Sequence, residues 1–304
     1  MKKNIVAVLL VLVPIISICP EDSKSSSGNF ELSVSRQYAN YHPHQYETTK
    51  SVYYPYSLLN GKLERNNEKF TSVLLGYNND SIRIEFSYFE LDLHNPTFTN
   101  VANITNAIWI QDIPIYIDSR SETQANVFYL LKPLEDLQIA LGGGIHRIQT
   151  KYDYSSPAYS YNRRDLVDTY GPQVGLKTNY KISDNFELFL NYMYLYTRGH
   201  RNYEYAYALN TTTGPFFYHE SQSHGTIAEF FGHDYDLGIG YKLTTTAKIR
   251  FGYQAEMLKF RYKNYYINAS DYNRMFRTNL YSSSYQDWKN DEVSGAFLEL
   301  NVLF

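Results

Sequence analysis

Five apolar side chains at alternate positions, Ala296, Leu298, Leu300, Val302 and Phe304, lie at the end of the sequence, with Glu299 and Asn301 between them. Successive side chains of a strand point to opposite faces, so this segment has one apolar and one polar face. About ten alternating residues running to an aromatic have the form of a lipid-facing barrel strand. Strands cross hydrocarbon only as a closed barrel, where every backbone polar group finds a partner. One such strand therefore asks for a set of similar strands elsewhere.

The same period recurs in pairs joined by short polar turns. Residues 70–77 and 81–89 turn at Asn78-Asn79-Asp80, and residues 123–131 and 137–148 turn between Lys132 and Asp136. Residues 173–180 and 186–197 turn between Lys181 and Asn185, and residues 234–242 and 247–257 between Leu243 and Thr246. With a first segment at Phe30-Leu32-Val34 and a last at 293–304, the expectation is an all-β, single antiparallel transmembrane barrel of about ten strands. The four turns then face the periplasm, and outer connections span residues 38–68, 94–121, 150–168, 199–230 and 262–289. Twelve strands are possible if residues 107–117 hide another pair, but Pro114 argues against a central strand there. That stretch reads as a partly apolar part of the second outer loop. Tyr77, Tyr129, Tyr180, Tyr241 and Phe304 end the returning strands and read as one aromatic girdle.

Lys2 and Lys3 precede an apolar run over residues 5–18, the form of a secretory signal. The expected organisation is a signal over 1–19, a polar leader over 20–28 and the barrel over 29–304, placed in a cell outer membrane. Cys19 is the only cysteine, which excludes an intrachain disulfide; its place after the apolar run leaves lipidation open beside ordinary cleavage. The 32 Tyr against 2 Trp suit a wall with an apolar face and wet ends. A net charge of -3 gives no reason to expect nucleic acid as a partner.

With apolar faces toward lipid, the lumen receives Arg83, Lys177, Lys242, Lys248 and Arg250 against Glu85, Glu187, Asp234, Asp236, Glu256 and Glu299. Side chains already fill an eight-stranded barrel, and unpaired charges away from water are costly. The expectation is a charge layer that closes or narrows the lumen. Gly142-Gly143-Gly144 falls inside a strand with no helix or Lys-Ser/Thr after it, so it marks a bend or a close side-chain approach rather than a phosphate loop.

One stretch resembles strands of the omptins, a family of outer-membrane proteases: Tyr170-Gly171-Pro172-Gln173-Val174-Gly175-Leu176, then Tyr180, Asp184-Asn185-Phe186-Glu187-Leu188 and Tyr192. Size and strand number are also omptin-like. The resemblance implies carboxylates and a His at the outer rim that activate water. The family's Asp-x-Asp and Asp-x-His motifs are not matched: the second loop offers Asp112 and Asp118, and the fourth reads Tyr203-Glu204-Tyr205-Ala206. Substitutes for a divergent rim protease are Asp92 and His94 beside Glu90, and His200, His219, Glu220 and His224, since a carboxylate and an imidazole within reach can activate water.

No cofactor or metal is expected, because His42-Pro43-His44 lacks a third ligand at a recognisable spacing. Asn103, Asn210 and Asn268 match glycosylation acceptors, which carry no weight in a bacterial envelope. The outer stretches at residues 152–164 and 262–288 mix Tyr, Ser and Asn, as binding loops do. The reading is a barrel with a side-chain-filled lumen, structural or adhesin-like, with a narrow small-solute channel and the rim protease as alternatives. Its expected partners are outer-membrane lipid, the barrel-assembly machinery and an extracellular ligand at loops 150–168, 199–230 and 262–289. Extracted in mild detergent, the protein should be β-rich by circular dichroism and migrate differently on gels before and after boiling; a helical or freely soluble product would contradict the barrel.

Overall fold

The computed structural model describes residues 28–45, 67–93, 97–104, 107–114, 119–156, 161–211, 214–222, 226–265, 268–269 and 286–304. The signal reading, the polar leader up to residue 27 and Cys19 lie outside them. The strands are β1 (Asn29–His42), β2 (Asn67–Asn78), β3 (Ile82–Asp92), β4 (Thr97–Ile104), β5 (Ala107–Pro114), β6 (Ser119–Leu134) and β7 (Leu137–Ser156). They continue as β8 (Tyr161–Lys181), β9 (Phe186–Thr211), β10 (Gly214–Gln222), β11 (Ile227–Lys242), β12 (Ala247–Lys263), β13 (Asn268–Ala269) and β14 (Lys289–Leu303).

Ten of these close into an antiparallel barrel in the order β1-β2-β3-β6-β7-β8-β9-β11-β12-β14, with β14 pairing back onto β1. The Phe304 amide donates to the Phe30 carbonyl at 2.9 Å and completes the ring at the periplasmic end. The remaining strands are additions at the outer end. β4 and β5 form a separate hairpin, and β10 extends the upper half of β9 and pairs with β13.

Side-chain acceptors hold the short turns. Asn79 Oδ1 accepts from the amides of Ser81 and Ile82 at 2.9 and 2.7 Å, and Thr244 Oγ1 from those of Thr246 and Ala247 at 3.2 and 2.9 Å. Such turns satisfy backbone donors locally and fix the hairpin. Strand boundaries read from the sequence therefore agree with the structure on this side: β9 begins at 186, β11 ends at 242 and β12 begins at 247.

On the outer side the strands are longer than the sequence suggests. β7 ends at Ser156 rather than 148, β8 begins at Tyr161 rather than 173, and β9 ends at Thr211 rather than 197. Much of what reads as loops 150–168 and 199–230 is therefore strand. Residues 107–117 likewise contain a strand, β5, in the detached hairpin rather than in the barrel wall, with Pro114 at its last position. Above the lipid the outward face need not be apolar, so the alternation that marks a strand disappears while its ladder continues.

The lipid face is plain along each strand. On β3, Ile82, Ile84, Phe86 and Tyr88 are exposed, and on β9 so are Phe186, Leu188 and Leu190. Tyr129, Tyr180, Tyr241 and Phe304 are exposed at the periplasmic rim. Tyr77 packs against Phe30 at 5.2 Å and Tyr241 against Phe186 at 4.9 Å between ring centroids. Charges mark the upper limit of the apolar band: Arg147 donates to both oxygens of Asp168 at 2.8 and 2.6 Å on the outer wall. Above that limit, Glu229 accepts from Tyr196 at 2.8 Å and Arg261 at 2.9 Å, with Lys263 at 2.9 Å. Burial alone would raise the Glu229 carboxyl, but hydrogen bonds from Lys263, Tyr196 and Arg261 outweigh it and hold its pKa below the ordinary glutamate range.

Inside the barrel, glycines admit rings against the wall. A Cβ on Gly142 would lie 2.9 Å from Phe128 Cδ1, and one on Gly238 would lie 2.6 Å from Phe189 Cζ. The first of these makes the mid-strand glycine run a site of close side-chain approach. Gly238→Val should displace the Phe189 ring and lower stability by about 1–3 kcal/mol, the usual cost of overpacking; urea unfolding in detergent micelles with an unchanged midpoint would contradict the packing.

Candidate functional site

The lumen is a stack of tiers. In the tier nearest the periplasm, Glu31 accepts from Asn78 at 2.9 Å and Arg83 at 3.1 Å, and Glu85 pairs with both Arg83 and Lys177. Glu187 pairs with Lys248 at 2.7 Å and Arg250 at 3.2 Å, and Arg250 reaches Glu299 at 3.5 Å. Alternation places these groups inward, since their neighbours in sequence form the lipid face. Four carboxylates meet four cations here, so this tier balances its own charge. Lys242, counted from sequence with the lumen, is exposed at the periplasmic mouth.

Above it, a polar chamber of about 110 Å³ is lined by Ser35, Gln124, Asn191, Asp234, Asp236 and Gln254 among others. Asp234 accepts from Gln254 at 3.5 Å and Asp236 from Asn191 at 3.2 Å.

The next tier is a knot around Arg120, whose side chain is fully buried. Its Nε donates to Glu122 Oε1 at 2.7 Å, one Nη to Glu256 Oε1 at 2.7 Å and the other to Asp291 Oδ1. Glu122 Oε2 lies 2.8 Å from His146 Nε2, whose Nδ1 faces Gln173 Oε1 at 3.1 Å. Asp291 Oδ2 accepts from the Tyr41 hydroxyl at 3.2 Å and the His44 amide at 3.0 Å, and lies 2.7 Å from His44 Nδ1. A guanidinium offers five donors in a fixed fork, which lets Arg120 bind carboxylates from β6, β12 and β14 across the lumen. The knot is thus a cross-brace as well as a plug.

Apolar side chains close the section above it. The His44 ring stacks on Phe260 at 3.6 Å between centroids, Phe260 meets Phe230 at 4.6 Å, and Ile148, Leu195 and Leu258 are buried around them. A second cluster of Ala39, Phe70, Phe89, Leu91, Leu93 and Val293 fills the opposite side. Higher still, Arg201 pairs with Asp165 at 2.9 and 2.6 Å and lies among the rings of Tyr203, Tyr262 and Tyr265.

The residues singled out from sequence fall in different places. Arg83, Glu85, Lys177, Glu187, Lys248, Arg250 and Glu299 share the lowest tier, Asp234 and Asp236 line the chamber, and Glu256 belongs to the knot. Arg120, Glu122, Asp291, Glu31 and His146 were not foreseen. With them the near balance of charge gives way to an acidic excess among the described residues of the lowest tier, the chamber and the knot: nine carboxylates (Glu31, Glu85, Glu122, Glu187, Asp234, Asp236, Glu256, Asp291, Glu299) against five Arg and Lys side chains. A signal did exist, because Arg120, Glu122, Gln124 and Asn126 continue the inward register of β6 upward.

The rim candidates do not form one described cluster. Asp92 is exposed and Glu90 accepts from the Tyr88 hydroxyl at 3.1 Å on the outer wall. His200 is exposed on β9, and only the backbone of His219 and Glu220 is described, in β10. His94 and His224 lie outside the described residues, as do Asp118 and most of the outer loop 262–289. Of the two His in the first outer stretch, His44 is the one drawn into the knot. Among the described residues no three His, Cys, Asp or Glu groups converge closely enough to ligate a metal ion directly.

A family model described as predicted outer membrane protein, Leptospiraceae, matches residues 26–302. No curated protein matches the chain. Among solved structures, the outer membrane protease OmpT from Escherichia coli aligns with 13% identity and a TM-score of 0.47, covering 93% of this chain and 99% of that one. The Pseudomonas putida toluene transporter TodX aligns with 10% identity and a TM-score of 0.34 over 94% and 91% of the two chains. Neisserial surface protein A aligns with 9% identity and a TM-score of 0.25 over 91% and 100%.

Removing one member of a buried ion network strands the others and typically costs about 3–5 kcal/mol. Arg120→Leu should therefore lower the thermal unfolding midpoint sharply, and part of the loss should be regained in acid, where the stranded carboxylates take up protons. A midpoint within a degree or two of the unmutated protein would mean that the knot bears no load.

Proposed function

Because the chain belongs to the Leptospiraceae family of predicted outer membrane proteins, we propose that it is a non-conducting outer-membrane barrel that presents an adhesin-like binding surface outward. The observation that carries this reading is the double closure of the lumen, the Arg120 knot with Phe230, Phe260 and His44 packed above it. A solute path would have to part both a fully buried charge network and an apolar layer. That leaves the outer end as the part of the molecule free to act.

The shape of that end supports the reading. A membrane-crossing strand needs about 9–11 residues, whereas β7, β8 and β9 run to 20, 21 and 26. These strands carry roughly ten residues or more beyond a membrane crossing, with β10 paired along β9, and so extend the sheet clear of the lipid. The sequence of the outer stretches 150–168, 199–230 and 262–289 is rich in Tyr, Ser and Asn. Tyr supplies contact area at low entropy cost, and small polar residues adapt to a partner.

Residues 28–304 refolded into a planar bilayer should be silent, and Arg120→Ala combined with Phe260→Ala should give currents. Steady conductance from the unmutated protein would overturn the reading in favour of a narrow channel.

A further inference from the structure

We propose that the chamber between the lowest ion-paired tier and the Arg120 knot binds one small divalent cation, held through water and admitted from the periplasm. This inference concerns the lumen and stands apart from the surface-binding reading.

Three oxygen acceptors point to the chamber's ligand. Ser35 is 5% exposed and its Oγ, Asp236 Oδ1 and Glu299 Oε1 are buried without a hydrogen-bond donor. All three residues line the chamber together with Asp234. Arg250 lies 3.5 Å from Glu299 Oε1, while among the described residues neither Asp234 nor Asp236 forms an ion pair with Lys or Arg. Their donors are the neutral amides of Gln254 and Asn191. Two carboxylates facing a polar space inside the barrel, beside acceptors that lack donors, call for positive charge from outside the chain. The carboxylate, hydroxyl and amide oxygens that line the chamber suit a hard cation such as Mg²⁺ or Ca²⁺, and Lys177, which also lines it, is paired with Glu85.

The space fits an ion that keeps part of its hydration. A water needs roughly 10–15 Å³ of such volume, and the chamber has about 110 Å³. Water also bridges the gap left by the absence of three directly converging ligands.

Access runs from the periplasmic side. A mouth of about 380 Å³ between the periplasmic turns shares Gln138 and Asn179 with a middle cavity of about 80 Å³. The middle cavity shares Lys177, Asn191, Asp236 and Glu299 with the chamber. The cations along this route are paired within the lowest tier, so the uncompensated charge at its inner end is negative. The Arg120 knot closes the other side.

The test is equilibrium dialysis of the folded protein in a zwitterionic detergent, stripped with EDTA, against ⁴⁵Ca²⁺ with and without Mg²⁺. Saturable binding of one ion per barrel is expected, with affinity reduced roughly tenfold or more in Asp234→Asn/Asp236→Asn and unchanged in Asp80→Asn on an exposed turn that lines none of these cavities. Should the double variant fail to fold, Ser35→Ala, which deletes only a hydroxyl, should still weaken binding. No saturable binding would show that protons balance the chamber and would overturn the proposal, as would binding that survives in the folded chamber variants or is lost with Asp80→Asn.

Discussion

Everything in this structure depends on the requirement that no backbone N–H or C=O be left unpaired in hydrocarbon. The closure of β14 onto β1 meets it, and the consequence is an inside-out protein. Apolar side chains go outward to lipid, so the polar half of every alternating strand must be accommodated inside. A soluble β-protein can turn its polar face to water. This barrel has to solve its polar face as a core, and its stability is therefore decided by how its interior charges are partnered.

The interior solves the problem in tiers with different chemistry. Near the periplasm, carboxylates and cations alternate around the wall and neutralise each other in the plane. Near the outer end, one guanidinium serves three carboxylates, an arrangement in which hydrogen bonds outnumber compensating charges. Phe128 and Phe189 pack against cations of the lower tier, with Lys177 5.1 Å and Arg250 5.0 Å from the ring centroids. Glycines opposite the rings make this possible, since a ring and a cationic head together fill the width that a glycine leaves open. Packing as well as charge therefore fills this part of the lumen.

The sequence was most legible where lipid and turn chemistry both act on it. Periplasmic strand ends could be placed closely because Asn79, Ser183 and Thr244 cap turns and the outward residues beside them must be apolar. The same logic fails above the membrane. There Asp168, Arg198 and Lys259 face outward on strands that simply continue, so the loss of apolar alternation looked like the start of a loop. Arg120 fell into a supposed loop for that reason, and Asp291 stood two residues outside the last recognised strand. The inward register, carried upward through Asn126, Gln124 and Glu122, was the available signal, because an inward position stays enclosed after the outward one has left the lipid. The β4–β5 hairpin escaped for a different reason: its apolar run has strand character but belongs to a sheet that the barrel wall does not include.

The tiers also give the molecule a direction. Three cavities that share lining residues lie in and around the ion-paired layer nearest the periplasm, whereas the layer facing outward combines a charge knot, stacked rings and the Arg201 cluster. The Arg120 ion pairs tie β6 to β12 and β14 above those cavities. A cation in the chamber would lie against the inner side of that brace, where it offsets the same acidic excess that Arg120 holds from above. The division of charge between a fixed guanidinium and an exchangeable ion would make the stability of the closed lumen responsive to periplasmic ion content, while leaving the outward face unaltered.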